Sequence, residues 1–127
     1  MNRDLAVALE VVSRDLRATC AVQPIVHEER LNGEDWVVLY EADGSGTGVS
    51  VPEFASTVEQ VVVLAEQVKD WAVEALAAQL KPAVWPECPD HPDSHPLDAG
   101  VVRGVAVWSC PRSRRAVAPV GALGFSS

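Results

Sequence analysis

Long hydrophobic runs are missing from this chain. No stretch approaches the ~18 to 20 uninterrupted apolar residues of a membrane span, and the opening Met1-Asn-Arg-Asp4 has no signal-peptide hydrophobic region. The expectation is a soluble, cytoplasmic protein without a membrane role. Basic residues are also scarce. Ten Lys and Arg stand against 18 Asp and Glu, a formal charge of −8 that excludes a coat of nucleic acid or anionic lipid held by the overall field. Cysteine is limited to three residues, too few for a disulfide framework. No internal repeat of useful length occurs.

What is present suffices for a core. With 48% apolar residues in 127, the chain fits one domain, or one domain with a small appendage. The charge is unevenly spread. Residues 1–30 carry five acids and four bases, residues 31–102 carry thirteen acids and two bases, and residues 103–127 carry four arginines and no acid. An acidic middle joined to a basic end suggests internal complementarity or two surfaces with different partners.

Leu5, Leu9, Val12 and Leu16 recur at helical spacing, with Glu10 and Arg14 as an i,i+4 pair, so an amphipathic helix is expected from Asn2 to about Cys20. The period then changes. Asn32-Gly33 is a hairpin signal, and Trp36-Val-Val-Leu-Tyr40 reads as a central strand with both faces at least partly buried. The glycines of Asp43-Gly-Ser-Gly-Thr-Gly48 read as a flexible turn: a phosphate loop would need a lysine, and Glu41 and Asp43 would repel phosphate. Ser50-Val-Pro-Glu53 has capping-box spacing, and Phe54, Val58, Val61, Ala65, Val68, Ala72 and Leu76 continue a stripe to Pro82, which predicts a helix of about 30 residues.

The remainder differs in kind. Five prolines between 82 and 98 exclude a regular helix or central strand there. Val101-Val102, Val105–Trp108 and Ala116–Ala118 read as short strands. The predicted architecture is α+β, with two helices (one long), a small antiparallel sheet and a C-terminal zinc-clamped β-ribbon. Its predicted divisions are residues 1–81, residues 82–120 and a loose tail of 121–127.

The candidate chemistry lies in Cys88-x2-His91-x3-His95-x14-Cys110. Each cysteine precedes a proline, and such a turn aims backbone N–H groups at the sulfur and favours the thiolate. Zinc suits two thiolates and two imidazoles in a tetrahedral shell. Other readings of the same residues are a Cys88–Cys110 disulfide, plain loop residues, and a catalytic Cys110 with a histidine partner. A catalytic zinc on Cys88, His91 and Cys110, with Glu87, Asp90 or Asp93 as base, would make a hydrolase or deaminase-like enzyme. The deaminase signature itself is absent, because it needs a Pro-Cys-x-x-Cys run and Glu87, not a proline, precedes Cys88.

Cys88-Pro-Asp-His91 and Cys110-Pro-Arg-Ser113 resemble the paired Cys-Pro-x-Cys knuckles of the zinc-ribbon and rubredoxin-like class. The likeness covers residues 85–115. His91 and Ser113 stand where that pattern has its second and fourth cysteines, and His95 is the substitute for the missing ligand. The resemblance implies a structural zinc clamping a small β-ribbon that serves stability or contact with a partner. A non-catalytic binding or adaptor module with a protein partner is therefore expected, or an acidic protein that binds a basic one. Nucleic acid enters only as a local contact through Arg112, Arg114 and Arg115. Trp85 and Trp108 are expected to shield the metal, Trp71 to lie in the core, and His27 and Cys20 to be structural.

Overall fold

A computed structural model describes residues 1–125. The observed class is α+β: two helices and two three-stranded antiparallel sheets.

Helix α1, Arg3–Thr19, starts where the Asn2 side chain accepts from the N–H groups of Asp4 and Leu5, which quiets two donors that a helix start leaves open. Leu5, Ala8, Val12 and Leu16 form its buried face, and the Glu10–Arg14 pair lies outside at 3.6 Å.

Strands β1 (Ile25–Leu31) and β2 (Glu34–Tyr40) form a hairpin whose turn residues Asn32 and Gly33 have φ of 53° and 80°, as a two-residue primed turn requires. Strand β2 is central, with β3 (Gly46–Val49) on its other side. Val37, Leu39 and Val49 face the core, while Val38 is buried on the opposite face. The glycine segment is thus partly a strand and not simply a turn. A Cβ at Gly46 would lie 2.7 Å from the Tyr40 ring and 2.8 Å from Val38. Those side chains fold over β3, and only bare backbone fits beneath them.

Helix α2 spans Thr57–Ala78 and is shorter than the stripe predicts. Its N-cap is Ser56, not Ser50, and Phe54 has a φ of 65° that no helix accommodates. Ser50 is engaged elsewhere: the Gln67 amide bonds both its N–H and its carbonyl, and Gln60 Nε2 donates to the Pro52 carbonyl. Residues 50–56 consequently run along the helix instead of forming its first turns. The helix stops before Pro82. Leu80 takes a φ of 57°, and Lys81 N–H returns 2.9 Å to the Leu76 carbonyl, closing the end as a Schellman motif closes it.

The second sheet has the order β4 (Asp98–Val102), β5 (Val105–Ser109), β6 (Ala116–Pro119). Its first turn, Arg103-Gly104, repeats the left-handed pair of the first hairpin. One buried cluster includes residues from Leu5 to Leu123 and takes in Trp71, Trp85, Leu97 and Trp108 together with Cys88 and Cys110. Of the 121–127 segment, the described part carries a short 3-10 turn, Leu123–Phe125, with Leu123 buried; Ser126 and Ser127 lie outside the described residues. Among the described residues, no helix is long and apolar enough to cross a membrane.

Candidate metal centre

Two tight turns supply the site. The first follows a cis Trp85–Pro86 bond, and residues 86–97 form a loop tied at its base by Leu97 N–H to the Pro86 carbonyl and by a bridge between Glu87 and Pro96. Within it, His91 N–H donates to the Cys88 carbonyl at 3.1 Å, so the Cys88-Pro-Asp-His91 turn aims both side chains the same way. The second turn follows β5, where a register shift at Trp108/Ser109 precedes Cys110. Arg114 N–H donates to the Cys110 carbonyl, and Cys110 N–H to that of Arg115.

These turns bring the four predicted residues together. One ligand atom from each of Cys88, His91, His95 and Cys110 lies within 4.8 Å of all the others. His91 Nδ1 is 3.6 Å from both sulfurs and 3.2 Å from His95 Nε2, and Cys110 Sγ is 3.9 Å from His95 Nε2. Zinc bonds of about 2.3 Å to sulfur and about 2.05 Å to nitrogen place tetrahedral ligands about 3.5 Å apart for S–N and about 3.3 Å for N–N. The four separations lie close to those edges.

The donor chemistry agrees with the spacing. His95 Nδ1 lies 3.1 Å from the Pro96 carbonyl; a carbonyl only accepts, so Nδ1 carries the proton and Nε2 turns a lone pair to the cluster. Hydrogen bonding from the Ser113 side chain, then from its N–H, holds the Cys110 thiol down to about 6 against the opposing effect of burial. Ser113 therefore serves the sulfur without being a ligand, its N–H standing 3.4 Å away. Lone pairs converging at such distances repel unless a proton or cation lies among them. Both sulfurs are buried and both imidazoles are half-buried, so the site is closed on its cysteine side.

Charges on the rim join the two turns. The Arg115 guanidinium donates to both oxygens of Asp90 at 2.8 and 3.1 Å, which holds the Asp90 carboxyl below its ordinary range. This changes the basic turn expected at Arg112, Arg114 and Arg115: Arg115 is committed to the site's own frame, and Arg112 and Arg114 are exposed. Trp85 and Trp108 pack edge-on at 5.7 Å. Their indole N–H groups go to Thr19 Oγ1 and Asp15 Oδ2 on α1, so the residues leading into both turns are anchored to the helix.

The remaining candidates lie elsewhere. Cys20 caps α1, and His27 packs edge-on against Tyr40 at 5.5 Å. All three cysteines are free, Cys88 and Cys110 included. Sequence reasoning passed over Asp15 and Lys69. Asp15, fully buried, accepts from Trp108 Nε1 and from the N–H groups of Gly121 and Leu123. Lys69 reaches from α2 to Glu66 and Asp98 at 2.7 and 2.9 Å. The available signal was a charge set among apolar helix positions, next to Leu16 in one case and Val68 in the other.

Compared with protein-family models, curated proteins and solved structures, the chain matches none. The likeness to zinc knuckles rests on the cluster itself.

Proposed function

We propose that Cys88, His91, His95 and Cys110 hold one zinc ion, and that the ion clamps the 82–120 segment as a ribbon in a non-catalytic binding module. The observation that carries this reading is the agreement of four ligand separations, 3.2 to 3.9 Å, with the edges of a zinc tetrahedron. Zinc is preferred because it takes thiolate and imidazole together and has no redox demand. Two thiolates and two neutral imidazoles also neutralise its charge, as a partly buried ion requires.

A closed structural ion is favoured over a hydrolytic one for two reasons. Four protein ligands fill the shell and leave no position for an activated water. Asp90, a potential base, is occupied by Arg115. The pair of unlinked, buried thiols fits a reducing compartment, which supports the cytoplasm.

Metal analysis with native mass spectrometry tests the proposal. One zinc per chain is expected, lost in Cys88→Ser and His95→Ala, with cobalt substitution giving the visible bands of a tetrahedral thiolate site. Metal-free protein whose two variants melt with the parent overturns it. A zinc that survives His95→Ala and carries an exchangeable water would instead support the catalytic alternative.

A further inference from the structure

A second feature lies apart from the metal cluster, at the start of β2. Strand β3 pairs with only the last four residues of β2, and the ladder stops at Val37↔Val49. Glu34, Asp35 and Trp36 pair with β1 on one side and, among the described residues, with no strand on the other. The two-residue turn makes Leu31↔Glu34 the closely bonded pair, so alternation along the ladder turns the Asp35 N–H and carbonyl outward. They face a groove of about 450 Å³ between this edge and the 50–53 segment.

The residues that line the groove carry one sign of charge, with the Met1 ammonium outside it, 3.0 Å from Glu28. Glu34, Asp35 and Glu53 line it, and no lysine or arginine does; Arg30 meets Asp35 at 3.3 Å with its own side chain mostly in solvent. Beside Glu53 stands Phe54, fully exposed and at a φ of 65°. A bulky residue seldom adopts that backbone conformation, and here it holds an aromatic ring in solvent one residue beyond the groove lining. Apolar anchors of this kind carry binding energy when a partner covers them.

We propose that this groove binds an extended, lysine- or arginine-bearing segment of a partner protein, which continues β3 along the free edge of β2. Backbone pairing with Asp35 supplies the strand contact, the Glu34 and Glu53 carboxylates meet basic side chains, and Phe54 is covered by the segment's flank. A nucleic acid would bring phosphates toward three carboxylates. A second copy entering by its exposed strand β1 would bring Glu28 and Glu29 to the same place, a like-charge meeting that costs affinity.

The zinc-replete full chain can be titrated into a fluorescein-labelled octapeptide of alternating lysine and threonine, with a glutamate–threonine octapeptide as control. Saturable binding by the lysine peptide alone is expected. It should weaken about tenfold in a Glu34→Lys/Glu53→Lys variant, and again as salt rises from about 0.05 to about 0.5 M. Phe54→Ser should weaken it a few-fold. All three positions are on the surface, and coincident thermal melts of parent and variants establish that the fold is kept. Amide shifts should map to residues 33–36 and 50–54. Equal binding of both peptides, no saturable binding, or shifts confined to other elements overturns the proposal. So does a concentration-dependent dimer that the charge reversals dissolve, which would assign the groove to a second copy.

Discussion

His91 Nδ1 has three other ligand atoms within 3.6 Å, and much of the site's logic lies in the groups that set its neighbours. Ser113 biases Cys110 toward thiolate, and the Pro96 carbonyl fixes the His95 tautomer. Neither is a ligand. The same economy appears at Asp15, where a single buried carboxylate receives the Trp108 indole and two backbone N–H groups. Replacement by alanine removes the acceptor from the Trp108 and Gly121 donors and leaves the first buried and the second half-buried. Asp15→Ala is therefore expected to lower unfolding free energy by at least about 3 kcal/mol, measurable by urea titration. The isosteric Asp15→Asn, which keeps one acceptor oxygen, should cost less.

Among the elements, β3 is the most constrained for its length. A side chain at Gly46 would overlap the Tyr40 ring and Val38, so Gly46→Val should destabilise by about 1–3 kcal/mol and raise amide exchange across β2 and β3. Helix α2 is joined to the second sheet by Lys69, which bonds Asp98, and by Glu66, which accepts from Ala99 N–H. Burial pulls the Lys69 pKa down, but the Glu66 and Asp98 hydrogen bonds and charges outweigh it, and the net displacement is upward from 10.5. A cation whose pKa is raised on folding stabilises fully below its unfolded value, and that contribution disappears as pH rises through the folded value. The stability difference between parent and Lys69→Met should accordingly be largest below pH 10.5 and shrink above it. Chemical denaturation across that range reads the difference directly.

At the scale of the molecule, the candidate metal cluster and the helices share one core. Cys88 and Cys110 belong to the same buried cluster as Leu5, Trp71 and Leu97, and Trp85 and Trp108 bond α1 directly. The division at residues 81 and 120 is proposed as an order of segments, with one sheet in each of the first two; packing links them. Removal of the proposed zinc by a chelator should then loosen more than a ribbon. A fall in melting temperature of at least about 10 °C is expected for the whole chain, by calorimetry and by tryptophan fluorescence alike, and reversed by added zinc. A change confined to a few residues near Cys88 would contradict that coupling.

Much of this was legible in the sequence, because it depends on local rules. Helical periodicity marked α1, Asn32-Gly33 marked the first hairpin, and ligand types at short spacing marked Cys88, His91, His95 and Cys110. The start of α2 was not legible, since Gln60 and Gln67 hold residues 50–52 from a distance in space. Nor was β3, whose glycines matter only once Tyr40 and Val38 lie over them. Sequence by itself determined which residues are able to ligate and which segments favour helix or strand, through side-chain chemistry and backbone sterics. Tertiary structure alone decided that Cys110 meets His91, that Arg115 turns inward to Asp90, and that the edge of β2 is left open. Those outcomes depend on long-range packing and on competition among partners, which no local pattern encodes.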